Sequence, residues 1–285
     1  DLLKKNSANF TQSINIGNFL LNETQAHLQL SLFGFSDEFQ EKTNKKVRDA
    51  LVGISPEYLH QYTKEALQET IISDGPVSKL FKNNDSLKKK IGNMLLFTFA
   101  GHDTTGHTMT WLIYELCKHP HHKRKLIEEI DRYWLNNKNE TYDTFNQLPF
   151  MTRCITEILR LWPAFANGTY RELEKDDEIT GINGDKVKIS KGTYCQIMNW
   201  TRHRNPELWG DDADTFNPCR EYKSSEIWDD NAFGFYNTSS QRYSPFTYSP
   251  RNCLGKNFAH MEIRLILLNM FKECDFQLTS KQNTT

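Results

Sequence analysis

The sequence predicts a mainly α fold with a small β component, an α+β chain dominated by helices. Apolar residues recur with the 3.6-residue period of an amphipathic helix through most of the 285 residues. Only one region, Ile179 to Trp200, alternates around Gly181, Gly184 and Lys191-Gly192 in the manner of short strands and turns. Hydrophobic residues make up 38% and aromatics 12%, enough for a packed core.

In chain order, residues 1–75 read as mostly helical. Leu20, Leu21, Thr24, Leu28 and Leu32 form one stripe, and Pro56 suits the first turn of a second helix. Gly75-Pro76 marks a break. A long helix is expected from Ser86 to about Cys117, apolar at Leu87, Ile91, Met94, Leu95 and Phe97 and again at Trp111, Leu112 and Leu116, with Pro120 ending it. Lys123 to Leu135 is amphipathic through Leu126, Ile127 and Ile130. Met151 to Leu161 is a short helix stopped by Pro163. Residues 201–245 are rich in Pro, Asn, Asp, Ser and Trp without period and form an irregular segment. Helical period returns from Asn257 to Phe271.

Charge and cysteine usage exclude several function classes. Lys and Arg total 35 against 36 acidic residues, so no electrostatic argument favours nucleic acid or an acidic membrane. Six scattered cysteines contain no C-x-x-C pair, which speaks against a disulfide framework or a structural zinc site. The longest apolar stretch, Met94 to Ala100, is too short to span a bilayer, and no signal-peptide pattern opens the chain. Chance accounts for triplets such as Asn139-Glu140-Thr141 in so asparagine-rich a chain. His119-Pro120-His121-His122 reads as a polar helix end, since no carboxylate cluster accompanies it, and the same reading holds for His102 and His107.

Four groups of residues carry chemistry. The first is the loop Phe246-Thr247-Tyr248-Ser249-Pro250-Arg251-Asn252-Cys253-Leu254-Gly255, which leads into a helix. A cysteine before a helix N-terminus is stabilised as thiolate by the helix dipole and nearby N–H groups, which suits it to bind a metal. Gly255 permits close backbone approach, and Arg251 supplies a fixed cation suited to a carboxylate. A lone cysteine would otherwise be an inert, buried one. The second group is Ala100-Gly101-His102-Asp103-Thr104-Thr105. Phe97, Ala100, Gly101 and Thr104 share one helix face that pairs small residues with a hydroxyl and has room for a flat cofactor and a diatomic ligand; taken alone it reads more readily as a packing notch with solvated polar neighbours. The third is Glu157-x-x-Arg160, an ion pair on one helix face, and the fourth is Arg171 in Thr169-Tyr170-Arg171.

Together these strings resemble the cytochrome P-450 family. Phe246, Arg251, Cys253 and Gly255 match its haem-ligand signature F-x-x-G-x-R-x-C-x-G, with Ser249 where glycine is usual. Lys256-Asn257-Phe258-Ala259 and Glu262 match the helix that follows. Ala100 to Thr105 resembles its oxygen-binding helix, and Glu157-x-x-Arg160, between Leu148-Pro149 and Leu161-Trp162-Pro163, resembles its E-x-x-R helix. The motifs fall in the family's order from about Gly75 to Leu278, while the first 75 residues match its middle helices loosely.

The resemblance implies a single, incomplete domain whose N-terminal part is missing, and the function of a monooxygenase inserting one oxygen atom of O2 into a lipophilic organic substrate. Cys253 would be the axial ligand of haem b. Arg251 and Arg171 would reach haem propionates, although Arg171 on its residues alone is as readily a solvated surface arginine. Phe246, Gly255, Ala100 and Gly101 would line the cofactor. Asp103 and Thr104 would be the acid–alcohol pair that delivers protons for O–O cleavage. The family closes the E-x-x-R pair with a later arginine, here Arg220 in Phe216-Asn217-Pro218-Cys219-Arg220. Glu157, Arg160 and Arg220 would then form a structural network, with Cys219 and Glu221 departing from the usual pattern. Electrons would come from NADPH or NADH through a flavoprotein reductase or a ferredoxin. A full-length eukaryotic member would sit at the endoplasmic-reticulum membrane on its cytosolic face. Two other readings remain: a haem-thiolate isomerase or dehydratase, and a non-catalytic remnant.

Overall fold

The structure is a computed structural model that describes residues 13–279, except 52, 84, 140, 182, 223–225, 227–239, 241 and 248–250. Ser249 of the cysteine loop, and the helical expectation for the first twelve residues, lie outside the described residues. The chain divides into two compact units, residues 1–151 with 255–285, and residues 152–254.

The first unit is built of helices. Helix α1 (Ile16–His27) starts where the Asn15 side chain accepts the Asn18 N–H at 3.0 Å, and it passes directly into a π-helical turn, Leu28–Phe33. Of the stripe expected from sequence, Leu20, Leu21, Thr24 and Leu28 are buried and Leu32 is half-buried. Two further helices, α2 (Asp37–Leu51) and α3 (Tyr58–Ile72), follow where one was expected, and Pro56 lies in the turn ahead of α3 instead of in its first turn. A short α4 (Ser78–Phe81) leads to the long α5 (Leu87–Lys118), which is capped by Ser86. Helix α6 (Pro120–Asn136) begins on the proline that ends α5, because a residue without an N–H costs nothing in a first turn. The sequence placed that start three residues later. Helix α10 (Lys256–Glu273) completes the unit.

Helices α1 and α5 pack antiparallel. A Cβ at Gly106 would meet Leu21 and Thr24, Thr24 Oγ1 donates to the His102 carbonyl at 3.0 Å, and a Cβ at Gly101 would meet Leu28 at 2.5 Å. The aromatic core behind α5 contains Phe33, Phe35, Phe39, Tyr62 and Phe81, with Phe97 against it. Two glycines permit the crossing of chain segments at its edge. Gly34 has φ of 68°, and a Cβ on Gly75 would stand 2.2 Å from the Phe33 carbonyl carbon.

The second unit holds most of α7 (Pro149–Leu161) and four short strands. Strand β1 (Thr169–Glu172) pairs antiparallel with β4 (Tyr194–Ile197), and β2 (Asp177–Thr180) with β3 (Lys186–Ile189), so the strand region expected from Ile179 starts ten residues earlier. Short helices α8 (Asn199–His203) and α9 (Pro206–Trp209) open the irregular segment. All six cysteines stay outside disulfides. No helix among the described residues is long and apolar enough to cross a membrane.

Candidate functional site

In the second unit Cys253 is solvent-exposed in its loop, and its backbone N–H donates to the Phe246 carbonyl at 2.9 Å. Thr247 takes a positive φ of 65°, and its hydroxyl donates to the Arg251 carbonyl at 2.8 Å, a second tether within the loop. A non-glycine residue in the left-handed region costs of the order of 1 kcal/mol, a strain that such tethers sustain. Leu254 is 82% exposed, and a Cβ on Gly255 would meet no described atom within 4 Å. The smallness of Gly255 therefore serves no contact among the described residues, and the chain beside the sulfur lies open.

A protein-built metal site needs several donors converging, and no three His, Cys, Asp or Glu side chains form such a group among the described residues. A single exposed cysteine with an open approach fits a different donor set. It suits one axial sulfur given to a metal whose other ligands come from a macrocycle.

In the first unit the small-residue face of α5 is divided between tasks. Gly101 is pressed under Leu28 and Phe97 belongs to the aromatic core, so at those positions the expected room is taken by packing. Ala100 is exposed, and Asp103 and Thr104 are half-buried. Thr104 Oγ1 donates to the Ala100 carbonyl at 2.9 Å, one helical turn back. Asp103 Oδ1 lies 3.4 Å from His107 Nδ1, a partner four residues on that the sequence reading treated as a polar helix position. An apolar cavity of 490 Å³ between α1 and α10 is lined by residues such as Phe19, Leu265 and Met270 and includes none of these positions.

The second unit brings Glu157, Arg160 and Arg220 together. Glu157 and Arg160 are fully buried. Arg160 Nε donates to Glu157 Oε2 and Nη2 to Oε1, both at 2.8 Å, while Nη1 donates to the carbonyls of His203 (2.7 Å) and Ala213 (2.6 Å) and Nη2 to that of Thr215 (3.2 Å). Arg220 Nε reaches Glu157 Oε1 at 3.2 Å. Sequence reasoning missed the rest of the shell: the Asn217 N–H and the Tyr222 hydroxyl each donate to Glu157 at 3.1 Å, and Asp212 grips the other end of Arg220 at 2.7 Å. These partners come from a stretch without periodicity, so no pattern announces them. The Arg220 guanidinium holds the Asp212 carboxylate below its ordinary pKa. Burial, then the neighbouring Glu157 charge, pushes the Tyr222 hydroxyl well above its ordinary value. His203 is driven down to about 3 by burial beside Arg202 and Arg160. Arg171, on exposed β1, donates to the Tyr170 carbonyl at 2.8 Å.

The comparisons with known proteins agree with these motifs. The cytochrome P450 family model matches residues 1–285. The chain is 32% identical over 260 residues to cytochrome P450 3A28 of Bos taurus, covering 90% of this chain and 47% of that protein. It is 33% identical over 191 residues to putative cytochrome P450 CYP13A5 of Caenorhabditis elegans, covering 67% of this chain and 34% of that one. A similar match, 33% over 187 residues, is found with cytochrome P450 3A12 of Canis lupus familiaris. The chain thus spans about a third to a half of the length of the curated relatives it matches. On its helix-dominated fold, its motifs and these matches, the chain belongs to the cytochrome P450 family.

Proposed function

We propose that this chain is the part of a haem-dependent monooxygenase that carries the iron ligand and the proton-delivering residues, and that the full-length protein inserts one oxygen atom of O2 into a lipophilic organic substrate. The single observation that carries the reading is Cys253: an exposed cysteine on a tethered loop, three residues before the first turn of α10. The partial positive charge of a helix N-terminus favours a thiolate there.

Haem bound at Cys253 would supply the one-electron and dioxygen chemistry, with thiolate donation favouring O–O cleavage. Cys253 Sγ would hold the iron, Arg251 would neutralise a propionate, and Phe246, Gly255 and Ala100 would line the cofactor. Asp103, half-buried beside His107, takes up a proton at its carboxylate and passes it to Thr104 Oγ1. The Thr104 hydroxyl rotates away from the Ala100 carbonyl to hand it on. Glu157, Arg160 and Arg220 touch no reacting atom and act by holding the irregular segment that leads to the cysteine loop. Reducing equivalents come from NADPH or NADH through a flavoprotein reductase or a ferredoxin.

The test is the spectrum of the reduced, CO-treated full-length gene product. A red-shifted Soret band that Cys253→Ser abolishes is the expected result, and the wild-type protein lacking that band overturns the assignment of Cys253. Two measurements separate the other readings. Turnover without reductase or oxygen would assign an isomerase or dehydratase. Failure of both the full-length protein and this chain to take up haem in a titration would assign a non-catalytic remnant.

A further inference from the structure

Gln25 is a neutral polar side chain sealed inside the first unit. Its residue exposure is 0%, and neither its Nε2 nor its Oε1 has a hydrogen-bond partner among the described residues. An unmade pair of amide hydrogen bonds in an apolar interior costs several kcal/mol, so native proteins leave very few such groups unsatisfied.

Its neighbours share the condition. Gln29, one turn further and also fully buried, gives its Nε2 to the Tyr62 hydroxyl at 3.1 Å but leaves Oε1 without a partner. The buried Thr98 hydroxyl stands close enough to the Tyr62 hydroxyl to interact with it, a contact too loose for full hydrogen-bonding geometry. The packing of α1 on α5 brings these residues to one level. Thr24 meets His102 and Leu28 meets Gly101, so in an antiparallel pair Gln25 and Gln29 fall opposite the turn from Thr98 to His102. The π-helical turn opens at Leu28, between the two glutamines, and its wider helix has looser side-chain spacing there.

We propose that Gln25, Gln29 and Thr98 form an internal hydration site, holding one or a few ordered water molecules on the side of α5 that faces α1. The chemistry selects water over an ion. The cluster offers the Gln25 Nε2 hydrogens as donors and the Gln25 and Gln29 Oε1 atoms as acceptors, with the Thr98 oxygen as a further acceptor and no formal charge among them. Burial lowers the pKa of His102 nearby, and its Nδ1 is occupied by the Thr98 carbonyl at 2.7 Å, so it adds no cation. A water molecule, with two donors and two acceptors, satisfies orphaned groups that cannot all pair with one another. Domains of this size carry internal waters at a frequency of about one per 27 residues. The site lies on the side of α5 turned away from Ala100 and Asp103, so it is distinct from the proton-delivering residues.

The test uses the 285-residue chain labelled with 15N and observes water cross-relaxation at the Gln25 side-chain amide. A cross-peak with the sign of a long-lived water is expected, and its loss together with long-lived water relaxation in Gln25→Met, which keeps the volume and removes the amide, completes the case. A wild-type Gln25 amide that shows no cross-relaxation with water overturns the proposal, as does a Gln25→Met protein with the same complement of long-lived water and a higher Tm. Should Gln25→Met fail to fold, the wild-type amide measurement decides by itself.

Discussion

Glu157 and Arg160, three residues apart on α7, meet through two hydrogen bonds of 2.8 Å with both side chains closed to solvent. A buried pair of this kind is poor evidence of net stability, because desolvation consumes much of the attraction. Breaking it is another matter. Glu157→Gln leaves Arg160 without its counter-charge and weakens Arg220, and it should cost about 3–5 kcal/mol. Asp212→Asn, at the half-exposed end of the same network, should cost about 1 kcal/mol or less. Urea unfolding midpoints of the two variants test the contrast, and equal losses would mean that the buried carboxylate has no special part.

Gly75 and Gly92 should respond in opposite directions to the same substitution. A Cβ at Gly75 would lie 2.2 Å from the Phe33 carbonyl carbon and 2.4 Å from the Leu32 carbonyl oxygen, backbone atoms that cannot swing aside. Gly75→Ala should therefore destabilise by about 1–3 kcal/mol or more. Gly92 lies inside α5, and no described atom lies within 4 Å of its added Cβ, so Gly92→Ala should stabilise by about 0.5–1 kcal/mol. Thermal melts of the two alanine variants against wild type are sufficient.

His203 makes the second unit sensitive to acid. Its Nε2 accepts the Ser244 N–H at 3.1 Å, which requires the neutral ring, and burial holds its pKa down to about 3. The unfolded chain binds a proton near the ordinary value of about 6.5, so it binds more protons than the folded chain between the two values, and stability falls as pH falls through that window. Between pH 7 and pH 5 the loss should be about 2 kcal/mol from this residue. His203→Gln keeps an acceptor and removes the titration, so its urea midpoint should lose less than that of wild type over the same interval. Parallel losses would assign the acid sensitivity elsewhere.

Glu129 on α6 caps the start of α7. Its two carboxylate oxygens accept the N–H groups of Phe150 and Met151, each at 2.7 Å, in a buried position. The cap works through acceptors, and burial raises the carboxyl pKa against these bonds. Glu129→Ala should cost about 1–2 kcal/mol, as loss of a helix cap does, with Glu129→Gln between it and wild type. Hydrogen exchange at the Phe150 and Met151 amides is the direct measurement, and unchanged protection in Glu129→Ala would refute the cap.

Much of the fold and the family was legible in the sequence because both are written locally. The helical periods of α5, α6 and α10 follow from residues within a few turns of one another, and the motif around Cys253 is a contiguous string whose residue types carry the family resemblance. Boundaries were less legible: Pro120 ends one helix and starts the next, and sequence shows only the first effect. What the tertiary structure decided are the partners that come from far along the chain. Gly101 reads as space for a cofactor until Leu28, more than seventy residues earlier, is found on top of it. Asp212, Asn217 and Tyr222 lie in a stretch without period, and only folding gathers them around Glu157. The sulfur of Cys253, its family and the order of its motifs are properties of the string. Which neighbours each side chain meets depends on long-range contacts that no local pattern encodes.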